Sequence, residues 1–202
     1  DAEALVYSEA GHVFYCLTFP SAKATWVFDL TTGIWHERGV WDADAGAFTV
    51  WAPRSHCYGF GQHLVGDRTS GQVCTMDTSY TAECNGDTIR RLRIPPPVFR
   101  APGVRRMFVS RMELVLETGL GTSTGQGVDP QVMLRSSINA KTWSHQRLAS
   151  AGKQGEYNAQ AVWTRLPSSL KMWVPEITVT DPIPWRIMGA EIDGRGFFGQ
   201  GG

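Results

Sequence analysis

Short stretches of alternating apolar and polar residues, cut at close intervals by turn residues, dominate the first half of the chain. The run His12-Val13-Phe14-Tyr15-Cys16-Leu17-Thr18-Phe19 stops at Pro20-Ser21. Thr25-Trp26-Val27-Phe28 resumes the pattern up to Asp29-Leu30-Thr31-Thr32-Gly33, after which Ile34-Trp35-His36-Glu37 continues it. This predicts a three-stranded antiparallel meander. In its turn the Asp29 carboxylate can accept bonds from backbone N–H groups just ahead, while Gly33 supplies the positive φ that closes the loop. The same turn returns as Asp67-Arg68-Thr69-Ser70-Gly71, with strand-like Cys57-Tyr58-Gly59-Phe60 and His63-Leu64-Val65 before it and Gln72-Val73-Cys74-Thr75-Met76 after it. Asp29 to Asp67 and Gly33 to Gly71 are both steps of 38 residues, near the roughly 40 to 50 of propeller blades. Residues 1–94 therefore read as two propeller-like blades.

Ile94-Pro95-Pro96-Pro97-Val98 cannot lie inside a central strand, because three prolines remove three ladder donors. It serves as the best internal boundary. Residues 95–193 then read as a C-terminal antiparallel β region, sandwich-like or built of further blades. It holds a long strand over 106–117, a glycine-rich loop over 119–127 and later strands over 160–165, 171–180 and 185–193. Pro175, Pro182 and Pro184 mark edges or bulges in those strands. Within this region Ser136-Ser137-Ile138-Asn139-Ala140-Lys141-Thr142-Trp143 resembles the Asp-box hairpin of sialidase-like propellers. It keeps Ser136, Thr142 and Trp143 but carries Ile138 and Ala140 at the Asp and Gly positions. The box is degenerate, a tight-turn role at Ile138 to Ala140 is in doubt, and Trp143 reads as a core anchor and not as a sugar platform. Residues 194–202 are too glycine-rich to fold alone and read as a flexible tail.

Composition agrees with an all-β chain. Among 202 residues, 22 Gly and 11 Pro break too many turns for a helical bundle, and 42% hydrophobic content is too much for disorder. Lys and Arg balance Asp and Glu at 19 each, which argues against a binder acting through bulk charge. Cys16, Cys57, Cys74 and Cys84 have no metal-ligand spacing and read as reduced thiols, although their even number leaves pairing open. No apolar run is long enough to span a membrane. The chain opens Asp1-Ala2-Glu3-Ala4, without methionine or signal-like segment, as a fragment or processed product would.

No catalytic motif emerges, and neither a metal nor a cofactor is expected. Asp42 and Asp44 beside Trp41 allow a glycosidase pair with an aromatic platform, against the simpler reading of a solvated loop. His12, His36, His56 and His63 sit in or beside strands as structural histidines. The outstanding charge feature is Arg90, Arg91, Arg93, Arg100, Arg105, Arg106 and Arg111, with no Asp or Glu between Thr88 and Met112. Two readings stand: guanidinium forks facing nucleic-acid phosphate or an acidic partner, or a solvated face paired with carboxylates from elsewhere.

Several ordered blocks carry a wider likeness. They are Phe19 through Arg38, His63 through Arg68, Gly127 through Arg135, Lys141-Thr142-Trp143-Ser144, Ser150 through Tyr157, Val162 through Leu166 and Thr180-Asp181-Pro182. Together they resemble the C-terminal portion of the tail nozzle, or packaged-DNA stabilisation, proteins of short-tailed bacteriophages. The resemblance implies a non-enzymatic virion protein with propeller blades that forms a hexameric ring below the portal and its adaptor. Such a protein contacts other tail proteins, closes the tail and retains the genome until ejection. It implies assembly in the host cytoplasm and residence in the virion tail, and it names no catalytic residue. A glycan-binding or glycan-cleaving propeller fragment is the alternative.

Overall fold

The structure, a computed structural model, describes residues 1–198. It is all-β, with antiparallel sheets and no helix among the described residues. The chain divides into two compact units, the first ending at Ile89 and the second beginning at Arg90. The triple proline thus lies inside the second unit and not at the division.

In the first unit β1 (Glu3–Glu9), β2 (His12–Phe19), β3 (Ala24–Asp29) and β4 (Ile34–Arg38) form one sheet in chain order. The meander has four strands where the pattern predicts three. β1 pairs along its whole length with β2, from Glu3↔Thr18 to Glu9↔His12, through a two-residue turn whose Ala10 and Gly11 both have positive φ, 50° and 83°. A hairpin follows, β5 (Val40–Asp42) with β6 (Ala47–Thr49), and then a second meander of β7 (Pro53–Gly59), β8 (Gln62–Asp67) and β9 (Val73–Met76). Phe60 and Gly61 repeat the positive-φ turn at 55° and 77°. That turn recurs after 50 residues whereas the Asp turn recurs after 38, because two strands separate the turns in the first meander and only one in the second. What repeats is a pair of turn types, not a unit of fixed length.

Tyr7, Cys16 and Val27 on one face of the first sheet form this unit's core, together with Phe14, Trp51 and Met76. The Tyr7 ring lies 5.8 Å from His56 and 5.7 Å from His63, so the faces of the two meanders pack on one another. Arg38 seals the packing, its guanidinium 5.0 Å from the rings of both Phe14 and Trp51, a cation–π arrangement. Cys74 of β9 is joined to Cys84, with Cα atoms 6.2 Å apart; the reading of four reduced thiols is corrected for this pair. Cys16 is free and buried, and Cys57 free and exposed. Spacing gave no hint of the bond, because the loop after β9 returns Cys84 to the strand it left.

The second unit is a β-sandwich of two sheets. One contains β10 (Arg91–Arg93), β17 (Met172–Val179), β13 (Gln131–Ser137) and β14 (Arg147–Ser150) in that order, with β11 (Val98–Phe99) also paired to β17. The other is centred on β12 (Val104–Leu116), flanked by β15 (Ala161–Thr164) and β16 (Ser168–Ser169) on one side and β18 (Ile187–Phe198) on the other. Met107, Val109, Met112 and Leu114 of β12 meet Val132, Leu134, Trp173, Ile177 and Val179 of the facing sheet, with Trp163 closing the layer. Between its first two register shifts β12 turns the odd positions Met107 and Val109 to the core, and from Met112 onward it turns the even ones. The register shift between Val109 and Arg111 makes the exchange, and without it Arg111 would point into the apolar layer.

Pro175 pairs with Ser136 of β13 on one side and on the other falls in the irregular gap between the β10 and β11 pairings of β17, as its reading as an edge or bulge marker expects. Arg93 pairs with Ile177 and Val98 with Trp173, so residues 94–97 pass opposite 174–176. The triple proline therefore faces Pro175, and donors are missing where neither chain needs them. β18 continues to Phe198 along the start of β12, so a flexible tail beginning at residue 194 is corrected for 194–198; residues 199–202 lie outside the described ones.

Candidate functional site

Four turns share one construction. Asp29 Oδ1 accepts from the backbone N–H of Thr31 at 2.9 Å and Thr32 at 3.4 Å, Oδ2 accepts the Thr32 hydroxyl at 2.7 Å, and Gly33 follows at φ 71°. Asp67 holds Thr69 N–H at 3.2 Å and Ser70 N–H at 3.1 Å, takes the Ser70 hydroxyl as well, and Gly71 follows at φ 68°. Asp42 Oδ1 holds Asp44 N–H and Ala45 N–H, each at 3.0 Å, before Gly46 at φ 62°. The fourth is the degenerate box. Asn139 Oδ1 accepts from Lys141 N–H and Thr142 N–H, each at 2.8 Å, and from the Thr142 hydroxyl at 3.1 Å, with Ala140 at φ 59°. The box is thus closed by an amide one position after the expected Asp, a substitution visible in the sequence as Asn139-Ala140-Lys141-Thr142. Ser136 is buried and anchors the base of this loop, its N–H donating to Ser144 Oγ at 3.0 Å.

Trp143 is not a core residue. It is half-buried beneath the Arg135 guanidinium, 5.0 Å from the ring, and Arg135 also grips the buried Glu176 carboxylate, with Nη2–Oε2 at 2.8 Å. The core tryptophans of this unit are Trp163 and Trp173.

Burial raises the Asp29 pKa, but the Thr32 hydroxyl, His12 Nδ1 at 2.8 Å and two backbone N–H groups outweigh it and hold the carboxyl at about 2. The Ser70 hydroxyl is the main cause lowering Asp67. These carboxylates are saturated by their own loops and poorly suited to proton transfer. Asp42, which with Asp44 and Trp41 carried the glycosidase alternative, accepts the two backbone N–H groups of its turn on Oδ1. Trp41 rests edge-on against Phe48, with ring centroids 5.1 Å apart.

The histidines cluster as the strands require. His56 Nε2 and His63 Nδ1 are 2.9 Å apart, His12 stacks on Phe14 at 5.8 Å, and Arg38 Nε donates to His36 Nε2 at 3.3 Å. Among the described residues no grouping of three His, Cys, Asp or Glu could hold a metal. A recess of about 310 Å³ opens beside β12 and is lined in part by Glu113, Thr118, Tyr157 and Gln160. Its one carboxylate, Glu113, is ion-paired with Arg111.

The seven arginines separate by environment. Arg90 is drawn below the ordinary arginine pKa by burial, opposed by the nearby Glu176. Arg91 donates to Ile183 O at 2.5 Å and Asp181 O at 3.1 Å, clamping the segment after β17. Arg111 pairs with Glu113 and reaches Asp193 at 3.7 Å. For these three the carboxylates and carbonyls come from elsewhere in the unit. Arg93, Arg100, Arg105 and Arg106 are exposed. Strand alternation and one bulge make this division, which a count of arginines in the sequence could not show.

Similarity to known proteins enters in the second unit. No curated protein matches the chain. Among the described residues no helix is long and apolar enough to cross a membrane. Residues 98–195, which contain nearly all of the sandwich, match the family described as Bacteriophage P22 Gp10, beta-sandwich.

Proposed function

We propose that the chain is a non-enzymatic structural protein of a bacteriophage particle. In this reading it is a tail protein of the nozzle or hub kind that joins copies of itself in a hexameric ring below the portal and its adaptor. It contacts other tail proteins, closes the channel and retains packaged DNA until ejection, working in the virion tail after assembly in the host cytoplasm. The observation that carries the reading is the match of residues 98–195 to a bacteriophage β-sandwich family. Carboxylates bound into their own turns, as at Asp29 and Asp42, fit a role in assembly over catalysis.

The two meanders of the first unit act as propeller blades in the intact protein. Their face-to-face packing through Tyr7, His56 and His63 supports this. So does the outer face of the first sheet, where Val6, Trp26 and Trp35 remain 56%, 40% and 51% exposed and offer a surface for a further sheet. Light scattering and negative-stain imaging of the purified protein, alone and with the phage adaptor, test the proposal. Six-fold rings are the expected result; a strict monomer that binds no tail component would overturn it.

A further inference from the structure

The net charge of zero conceals a division. Of the chain's 19 lysines and arginines, 15 lie from Arg90 onward and 4 before it; of its 19 acidic residues, 8 lie from Arg90 onward and 11 before it. The second unit therefore carries a formal +7 and the first −7.

Part of the surplus gathers at one end of the sandwich. Arg100 N–H donates to Lys171 O at 3.1 Å, and its guanidinium reaches Val104 O, next to Arg105 and Arg106. Arg105 is the extra residue at the register shift between Val104 and Arg106, so two successive arginines both stand exposed where regular alternation would turn one inward. Among the described residues no carboxylate lies within ion-pair distance of Arg100, Arg105, Arg106 or Lys171. Phe99, next to Arg100 in the chain, and Phe108, in the strand of Arg105 and Arg106, are 62% and 42% exposed.

We infer that this end of the sandwich binds the sugar-phosphate backbone of nucleic acid without reading its sequence, the arginine forks taking phosphate oxygens and the two phenylalanines offering faces to unpaired bases. The rival occupant, the acidic first unit of a second copy, fits less well. Asp29, Asp42, Asp67 and Asp77 already accept bonds within their own turns, and Glu3 is held by Arg54 and Arg68. The inference names a ligand site for the virion reading, in which packaged DNA is the physiological ligand. Binding can fail while ring formation succeeds, so the two are separable.

Fluorescence anisotropy of the full chain with random-sequence duplex and single-stranded DNA tests the site. Four phosphate contacts give a log–log salt slope of about −3.6 on duplex, or about 150-fold weaker binding at about 200 mM salt than at about 50 mM. The double variant Arg105→Ala/Arg106→Ala is expected to bring the slope to about −1.8 with an unchanged circular dichroism spectrum. Lys153→Ala, which removes an exposed cation outside this cluster, is expected to leave it unchanged. No binding at low salt, binding indifferent to salt, or equal loss in both variants would overturn the inference. So would salt-sensitive self-association without DNA that the double variant abolishes, since the patch would then belong to a second copy.

Discussion

Asn139 holds two N–H groups and a hydroxyl with one amide oxygen, and Ala140 beside it occupies a backbone conformation that disfavours a Cβ. Asn139→Ala should lose about 1 kcal/mol of stability, since the loop donors must find water. Ala140→Gly should gain about 0.5 to 1 kcal/mol by relieving the left-handed strain, less the extra freedom glycine has when unfolded. Thermal melts of both variants check the pair of signs. The tryptophans of the sandwich allow a second comparison. Trp163 Nε1 donates to Arg147 O at 3.0 Å, while Trp173 Nε1 is buried with no partner among the described residues. Both substitutions by Phe leave a small void, but Trp173→Phe also removes an unsatisfied donor. In denaturant titrations Trp163→Phe should therefore cost about 1 to 2 kcal/mol more than Trp173→Phe.

Among the elements, the histidine pair between the meanders sets an acid limit. Burial first, and then the neighbouring His63, push the His56 pKa below its ordinary 6.5. The folded state thus favours neutral His56. Its stability contribution is complete above pH 6.5 and is lost as the pH falls through the lowered value. Asp29 works in a lower window: its contribution is present above 3.8 and lost as pH falls through about 2. Chemical unfolding of the wild type at neutral and mildly acid pH should show the first loss, and His56→Gln should flatten it. The Cys74–Cys84 bond closes a loop of ten residues. Cys84→Ser should cost the first unit about 3 kcal/mol, read by the same titration without reductant.

Much of this level was legible in the chain: the Asp29 and Asp67 turns, and the strands His12–Phe19, Ala24–Asp29 and Ile34–Arg38, lie where alternation and turn chemistry put them. β1 was not legible, because Glu3 and Glu9 at its ends dilute its apolar character until Cys16 and Tyr15 pair with it. The disulfide and the bulges of β12 depend on contacts distant in sequence, which no local pattern encodes.

For the whole molecule, a balance of 19 against 19 charges is misleading when 15 of the cations share one unit. Exchange resins sample surface patches and not the sum. At neutral pH and low salt the intact chain should be retained on both cation and anion exchangers, whereas an even scatter of the same charges would leave it in the flow-through of each.

The prolines of residues 95–97 have a bearing on crowding. They occupy the outer margin of the sheet between β10 and β11, where an open ladder would present N–H groups to any passing strand. With three donors missing in succession, this margin offers a foreign strand carbonyl oxygens but no N–H groups over these residues. Many copies can then be concentrated without zippering into fibres along that border.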